Sequence, residues 1–355
     1  CCLGGDDGGA PRGRRHLGAP PSFDSIFAFG DSFTDTGNNP VVFGWYDVFD
    51  VVMRPPYGMT FFGGHPTGRN SNGRLIIDFI AQGLGLPLVP PYLSHNGSFR
   101  QGANFAVGGA TGLNSSFFHI GDGSGASLFP LNTSLEVQLE WFEDLKPSLC
   151  KTDQECKDFF GRSLFFVGEF GINDYQYSFG KKSMQEIRDF VPDLIQIISM
   201  GAERVIEHGA KTVVIPGMIP SGCAPPVLVT FADADASEYD AVTGELRAEH
   251  PDVAVVHTDL FNHVTEMVMS PEQFGLERDV LTACCGGSGR YHYNLSVACG
   301  DDAATVCEYP SKSLFWDGVH LTEAPYHYIA KDWLNTILSS VSADARATIM
   351  AYASI

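Results

Sequence analysis

The sequence predicts an α/β fold, a mainly parallel sheet with helices on both faces. Three observations carry this. Short apolar runs rich in β-branched and aromatic residues punctuate the chain. Between them lie stretches whose apolar residues recur at helical spacing, which implies βαβ crossovers. The 355 residues, with 44% hydrophobic and 18% charged side chains, are those of a folded protein able to bury a large core.

The elements come in order along the chain. Ser25–Phe29 (SIFAF) reads as a buried strand. Leu75-Ile76, Phe79-Ile80 and Leu84 stripe a helix closed by Gly83 and Gly85 and stopped by Pro87. Asn104–Val107 (NFAV) and Ser163–Val167 (SLFFV) are the next strands. Ile187, Phe190-Val191, Leu194-Ile195 and Ile198 repeat at helical spacing, with Pro192 as a kink or first-turn residue. Thr212–Pro216 (TVVIP) and Val253–His257 (VAVVH) complete the strands, and a helix from Tyr326 to Val341 closes the chain. Phe117–Pro130 reads as a loop, and no stretch resembles a repeat or an interdomain linker. Residues 1–22 are expected to be a mobile tail: they lack the apolar core of a signal peptide and look like the stretch just past its cleavage site. Residues 23–355 are expected to form a single domain.

Composition narrows the partners. A net charge of −20 disfavours nucleic acid and anionic membrane surfaces, which require a positive field. No apolar run approaches the ~20 residues of a membrane span. Nine cysteines without a C-x-x-C pair weigh against zinc and thioredoxin-like chemistry. Together with sequons at Asn96, Asn114, Asn132 and Asn294, they predict a glycosylated, disulfide-bonded protein of the secretory pathway, in the Golgi lumen or outside the cell. No cofactor is implied. No metal site is expected either, because H-E-x-x-H is absent and the histidines are scattered.

In α/β sheets, sites form at the carboxyl ends of strands. FAFGDSFTDTGNN (Phe27–Asn39) runs from a strand into a turn of small and polar residues, which places Ser32 just beyond a strand end. GANFAVGGAT (Gly102–Thr111) and GEFGINDY (Gly168–Tyr175) also come after strands, and DGVH (Asp317–His320) precedes the last helix. Taken singly, the first three read more simply as a turn, a tight strand–helix junction and a cap, while Asp317-x-x-His320 reads equally as cap-like bonding or as catalysis. Together they fit acyl transfer. A serine needs a base to take its proton, the base needs a carboxylate to fix its tautomer, and the tetrahedral intermediate needs preorganised donors. Asp317 and His320, three residues apart, can meet within one turn. Backbone N–H groups at Ser32 and Gly109 and the Asn173 amide can supply the oxyanion hole. A histidine base also predicts activity that rises from acid to neutral pH.

These four blocks, together with NSNGRLIIDFIAQGLGLP, VLTACCGGSGRYHYN and WDGVHLTEAPYHYIA, resemble the plant GDSL esterase/lipase family of the SGNH hydrolase superfamily, from about Phe23 to the final helix. The resemblance implies a three-layer α/β/α sandwich with a flavodoxin-like sheet. It implies Ser32 as nucleophile, His320 as base, Asp317 as its orienting carboxylate, and Ser32, Gly109 and Asn173 as the oxyanion hole. Asp31 is expected to support the turn rather than join the triad. Within the family the chain is most similar to plant enzymes that remove acetyl groups from xylan or its arabinosyl side chains. That implies an acetylated polysaccharide or oligosaccharide as substrate, and Trp45, Tyr46, Tyr57, Phe61, Phe62, Tyr175 and Tyr177 are candidate sugar-stacking rings. The competing readings are a general carboxylesterase or lipase, an acyltransferase with the same triad, and a non-catalytic glycan-binding relative.

Cys150 and Cys156 are placed for a local disulfide. The adjacent Cys284 and Cys285 are expected to reach Cys299 and Cys307, with the pairing open, and so to brace the loop that carries Asp317 and His320. Cys223 lacks an evident partner, and relatives carry a longer stretch after PSGCAP. Residues are therefore expected to be missing between about Ala241 and Leu246, the alternative being a true deletion that leaves Cys223 a buried thiol.

Overall fold

In the structure, a computed structural model, residues 23–119, 127–179, 181–226 and 252–341 are described. The expected tail and the expected gap near Ala241–Leu246 lie outside them. Five strands, β1 (Ser25–Phe29), β2 (Gly102–Asn104), β3 (Ser163–Val167), β4 (Thr212–Pro216) and β5 (Ala254–Thr258), form a sheet of order β2-β1-β3-β4-β5. Every pairing in it is parallel. This is the flavodoxin-like order; β1, β3 and β4 are buried on both faces, as their apolar runs require, while Ala254 and His257 leave β5 at the sheet edge partly exposed.

Strand periodicity sorts the core into two layers. After β1 the chain first makes a short helix, α1 (Asn39–Trp45). Phe27, Phe29, Phe165 and Val213 face one side of the sheet, where α3 (Leu135–Leu149), α4 (Asp153–Phe160) and α7 (Val191–Glu207) bring Phe142, Phe160 and Leu194 against them. Ile26, Ala28, Leu164, Phe166 and Val214 face the other. There α2 (Ile76–Gly83), α8 (Phe261–Met269) and α9 (Glu323–Val341) contribute Ile80, Val264 and Trp333. The result is the expected three-layer sandwich. The helix expected around Ile187–Ile198 is two, α6 (Met184–Asp189) and α7, meeting at Phe190, and Pro192 sits harmlessly in the first turn of α7.

Chain direction reverses across β1: the crossover from β1 leads outward to β2, and the next returns past β1 to β3. The crevice between the carboxyl ends of β1 and β3 is therefore the switch point, and the turns after β1, β2 and β3 meet there.

Candidate active site

The turn after β1 is held from several directions. Gly30 passes so close to β3 that a Cβ there would lie 2.6 Å from the Gly168 carbonyl oxygen. Gln138 of α3 clamps its peptide, accepting from Gly30 N–H at 2.9 Å and donating to Gly30 C=O at 2.8 Å. The Asp31 carbonyl then accepts the N–H groups of Thr34 and Asp35, winding the chain into a turn with Ser32 near its start. Asp35 accepts four backbone N–H groups, from Gly37, Asn38, Asn39 and Gly108, at 2.7–3.0 Å. Burial pushes its carboxyl up to about 7 against the pull of those donors. Asn38 Nδ2 donates to the carbonyls of Asn104 and Ala106, and Asn104 Nδ2 returns a bond to Thr34 C=O. The Asn, Asp and Gly residues around the serine thus stitch the first block to the second.

The remote end of the chain supplies the relay. His320 Nε2 lies 2.8 Å from Ser32 Oγ, across a sequence separation of 288. His320 Nδ1 lies 2.7 Å from Asp317 Oδ2, while Asp317 Oδ1 accepts the N–H groups of Val319 and His320 at 3.1 and 2.9 Å. Tyr57 O–H donates to Asp317 Oδ2 at 2.8 Å. Burial by itself raises the Asp317 carboxyl; the His320 ring, the N–H donor and Tyr57 outweigh it and hold the group below its ordinary value, so Asp317 stays ionised.

Two disulfides back this loop: Cys284–Cys307 and Cys285–Cys299. The N–H groups of Cys284 and Cys285 donate to the carbonyls of Phe315 and Trp316, directly before Asp317. A short antiparallel pair, β6 (Cys285–Gly286) and β7 (Thr305–Val306), completes the brace. Cys150–Cys156 is the third disulfide, linking the end of α3 to α4. Cys223 is half-buried with no disulfide partner among the described residues, and burial raises its thiol pKa.

Ser32 and Gly109 N–H have no acceptor among the described residues, and Gly109 holds φ +81°, where a Cβ would lie 2.9 Å from the Tyr177 hydroxyl. Asn173 sits in the first turn of α5 (Ile172–Ser178). Its Nδ2 donates to Asp31 Oδ2 at 2.8 Å and to Ala110 C=O at 2.9 Å, so both amide hydrogens are engaged. To serve an oxyanion, one must be shared with it.

These groups open on a cleft of about 340 Å³, lined also by Phe43, Asp50, Phe129, Tyr177 and Leu295. Of the candidate stacking rings, Tyr57 and Tyr177 line it. Tyr57 is a correction: it is 3% exposed and occupied in holding Asp317. Tyr175 stacks on Phe190, Phe61 and Phe62 lie under the guanidinium groups of Arg74 and Arg69, and Trp45 leans edge-on against Trp141. Asn96, Asn114 and Asn132 are exposed, whereas Asn294 is half-buried at the cleft with its Nδ2 on Ser288 C=O at 3.1 Å. Among the described residues no metal-ligating cluster occurs, and no helix is long and apolar enough to cross a membrane. Sequence reasoning missed what Tyr57 does, and it missed Gln138, Glu169 and Arg69, whose buried bidentate pair with Asp78 lets it donate to Thr36 C=O at 3.0 Å.

A hydroxyl, an imidazole and a carboxylate in one line at the carboxyl edge of a parallel sheet are the apparatus of a carboxylic ester hydrolase. The chain belongs to the GDSL-like lipase/acylhydrolase family, whose model matches residues 26–333. Two GDSL esterase/lipases of Arabidopsis thaliana are each 42% identical to it, over 338 and 337 residues, covering 88% and 87% of this chain and 85% and 89% of their own. Sinapine esterase of Brassica napus is 40% identical over 342 residues, 88% of this chain and 85% of its own.

Proposed function

We propose that this esterase works through an acyl-enzyme formed on Ser32. His320 Nε2 takes the Oγ proton as Oγ attacks the ester carbonyl. The oxyanion receives the N–H groups of Ser32 and Gly109 and one hydrogen of the Asn173 amide. Collapse expels the alcohol, which leaves with the proton from His320. Water, deprotonated by His320 in turn, then releases the acid and restores Ser32. The single observation that carries this reading is the Asp317–His320–Ser32 relay, with 2.7 and 2.8 Å links.

For the substrate we propose O-acetyl groups on a plant cell-wall polysaccharide, xylan or its arabinosyl side chains, met in the Golgi lumen or outside the cell. The overall resemblance of the sequence to xylan deacetylases supports this, as do the disulfides, the exposed sequons and the open cleft with mixed polar and aromatic walls. One observation favours a second reading, a small soluble ester such as sinapine: a relative 40% identical to this chain is named sinapine esterase. Acid release should be measured from acetylated xylo-oligosaccharides, from short- and long-chain model esters and from sinapine. Acetate release from the oligosaccharides, abolished in Ser32→Ala, is the expected result. Turnover confined to sinapine or simple esters would replace the polysaccharide, and full turnover by Ser32→Ala would overturn the nucleophile.

A further inference from the structure

Beneath the proposed oxyanion hole lies a pair of acids that the acyl-transfer steps do not use. Asp31 is completely buried and Glu169, two residues past β3, is 1% exposed. Neither Glu169 oxygen has a hydrogen-bond donor among the described residues. The carboxyl it faces is that of Asp31. Two carboxylates in contact within dry protein cannot both be charged, so the pair keeps a proton. Asp31 accepts from Phe33 N–H at 2.9 Å and from Asn173 Nδ2 at 2.8 Å, bonds that favour its charge, whereas Glu169 has little to stabilise an anion. The proton therefore belongs on Glu169. Burial and the neighbouring Asp31 raise the Glu169 carboxyl well above its ordinary value, in agreement with this placement.

We propose that Glu169, held neutral, donates a hydrogen bond to the Asp31 carboxylate, and that Asp31 thereby fixes the Asn173 amide for oxyanion binding. The proposal rests on reading Asn173 as an oxyanion donor. Asn173 Nδ2 has two acceptors in the protein, one a carboxylate and one the neutral Ala110 carbonyl. The charge-assisted bond is the stronger. When negative charge grows on the substrate oxygen, the Ala110 bond yields and the Asp31 bond keeps the amide in place. The Glu169 proton limits the pair to a single negative charge beside a site where another must form, so the transition state meets less repulsion. Asp31 and Glu169 are positioning residues; neither touches the reacting atoms.

Glu169→Leu removes the donor and Glu169→Gln replaces it with an amide N–H. The expected results are a fall in kcat of about ten- to a hundredfold for Glu169→Leu with KM little changed, and recovery of most of that loss in Glu169→Gln. Infrared difference spectra at neutral pH should show a protonated-carboxyl band in the wild type that Glu169→Gln lacks, a readout that needs only the isosteric variant to fold. A missing band, a Glu169→Gln variant as slow as Asn173→Ala, or an unchanged kcat in a folded Glu169→Leu would each overturn the proposal. Asn173→Ala separates the two levels. Should it retain kcat, the oxyanion reading itself fails; should it lose kcat while Glu169→Leu does not, only the positioning chain fails.

Discussion

Tyr57 shows how much of the site depends on single atoms remote in sequence. Its hydroxyl is buried, and burial together with the adjoining Asp317 charge raises its pKa well above the ordinary phenol value, so it acts only as a donor. Tyr57→Phe keeps the ring against Trp316 but deletes that donor. Asp317 then loses one of the groups that favour its ionised form. The expected outcome is a stability loss of about 1–3 kcal/mol and a fall in kcat of about tenfold or less. The acid limb of the rate profile should also move to higher pH. Denaturant midpoints and a kcat profile measure all three, and a variant indistinguishable from wild type would show that the hydroxyl does nothing. That Ser32, His320 and Asp317 could meet was readable in the sequence because each lies in a compact local pattern. Tyr57 could not: it comes from a loop 260 residues from Asp317, and nothing local distinguishes a buried donor from a packing ring. Glu169 was visible within GEFGINDY, but its role depends on Asp31 lying beside it after folding.

Among the elements, legibility followed burial. Three strands lie where their apolar runs place them, because a strand covered on both faces needs such a run and little else. The run NFAV points to a strand at Asn104–Val107, yet β2 is Gly102–Asn104: Asn104 Oδ1 turns back to accept Ala106 N–H at 2.9 Å and ends the regular ladder. α3 escaped notice although Leu135, Leu139, Phe142, Leu145 and Leu149 form a helical stripe, because Gln138 interrupts the apolar face and Pro147 lies in the last turn. That interrupting residue clamps the turn after β1. Gln138 satisfies Gly30 N–H, Gly30 C=O and Thr133 C=O at once, so α3 holds the turn that presents Ser32. Gln138→Leu fits the apolar surroundings but leaves Gly30 N–H and Thr133 C=O without partners in dry protein, while Gly30 C=O keeps only the Val107 N–H at 3.2 Å. A loss of about 3 kcal/mol or more is expected in a urea titration, with kcat falling as the Ser32 turn loosens. Wild-type stability in this variant would mean that the clamp is redundant.

At the scale of the whole molecule, the sequence made the fold class and the meeting of four distant blocks readable, since βαβ alternation fixes where strand ends gather. It did not make readable how many acids the blocks bury. Of the 42 acidic residues, Asp31, Asp35, Asp50, Asp174 and Glu169 lie buried around the site. Burial pushes Asp50 up to about 6 and Asp35 and Asp174 up to about 7, and it raises the Asp31–Glu169 pair as well. An unfolded aspartate titrates near 3.8, so between that pH and about 7 the native state holds more protons than the unfolded chain. Stability therefore decreases as pH rises through this window and is regained as pH falls. Lower pH also relieves the self-repulsion of a chain carrying a net charge of −20, which acts in the same direction. Asp317 opposes the trend, but its carboxyl lies below the ordinary value, so its contribution is lost only at more acid pH than this window. Unfolding free energy should accordingly be greater by about 2 kcal/mol or more at pH 5 than at pH 8, and should fall again below about pH 4. Urea midpoints at pH 8, 6.5, 5 and 3.5 test this. A midpoint that stays level or drops from pH 8 to pH 5 would mean that the N–H donors around Asp35 and Asp174 keep these carboxylates ionised despite burial, and that the site is built on fixed charge rather than on shared protons.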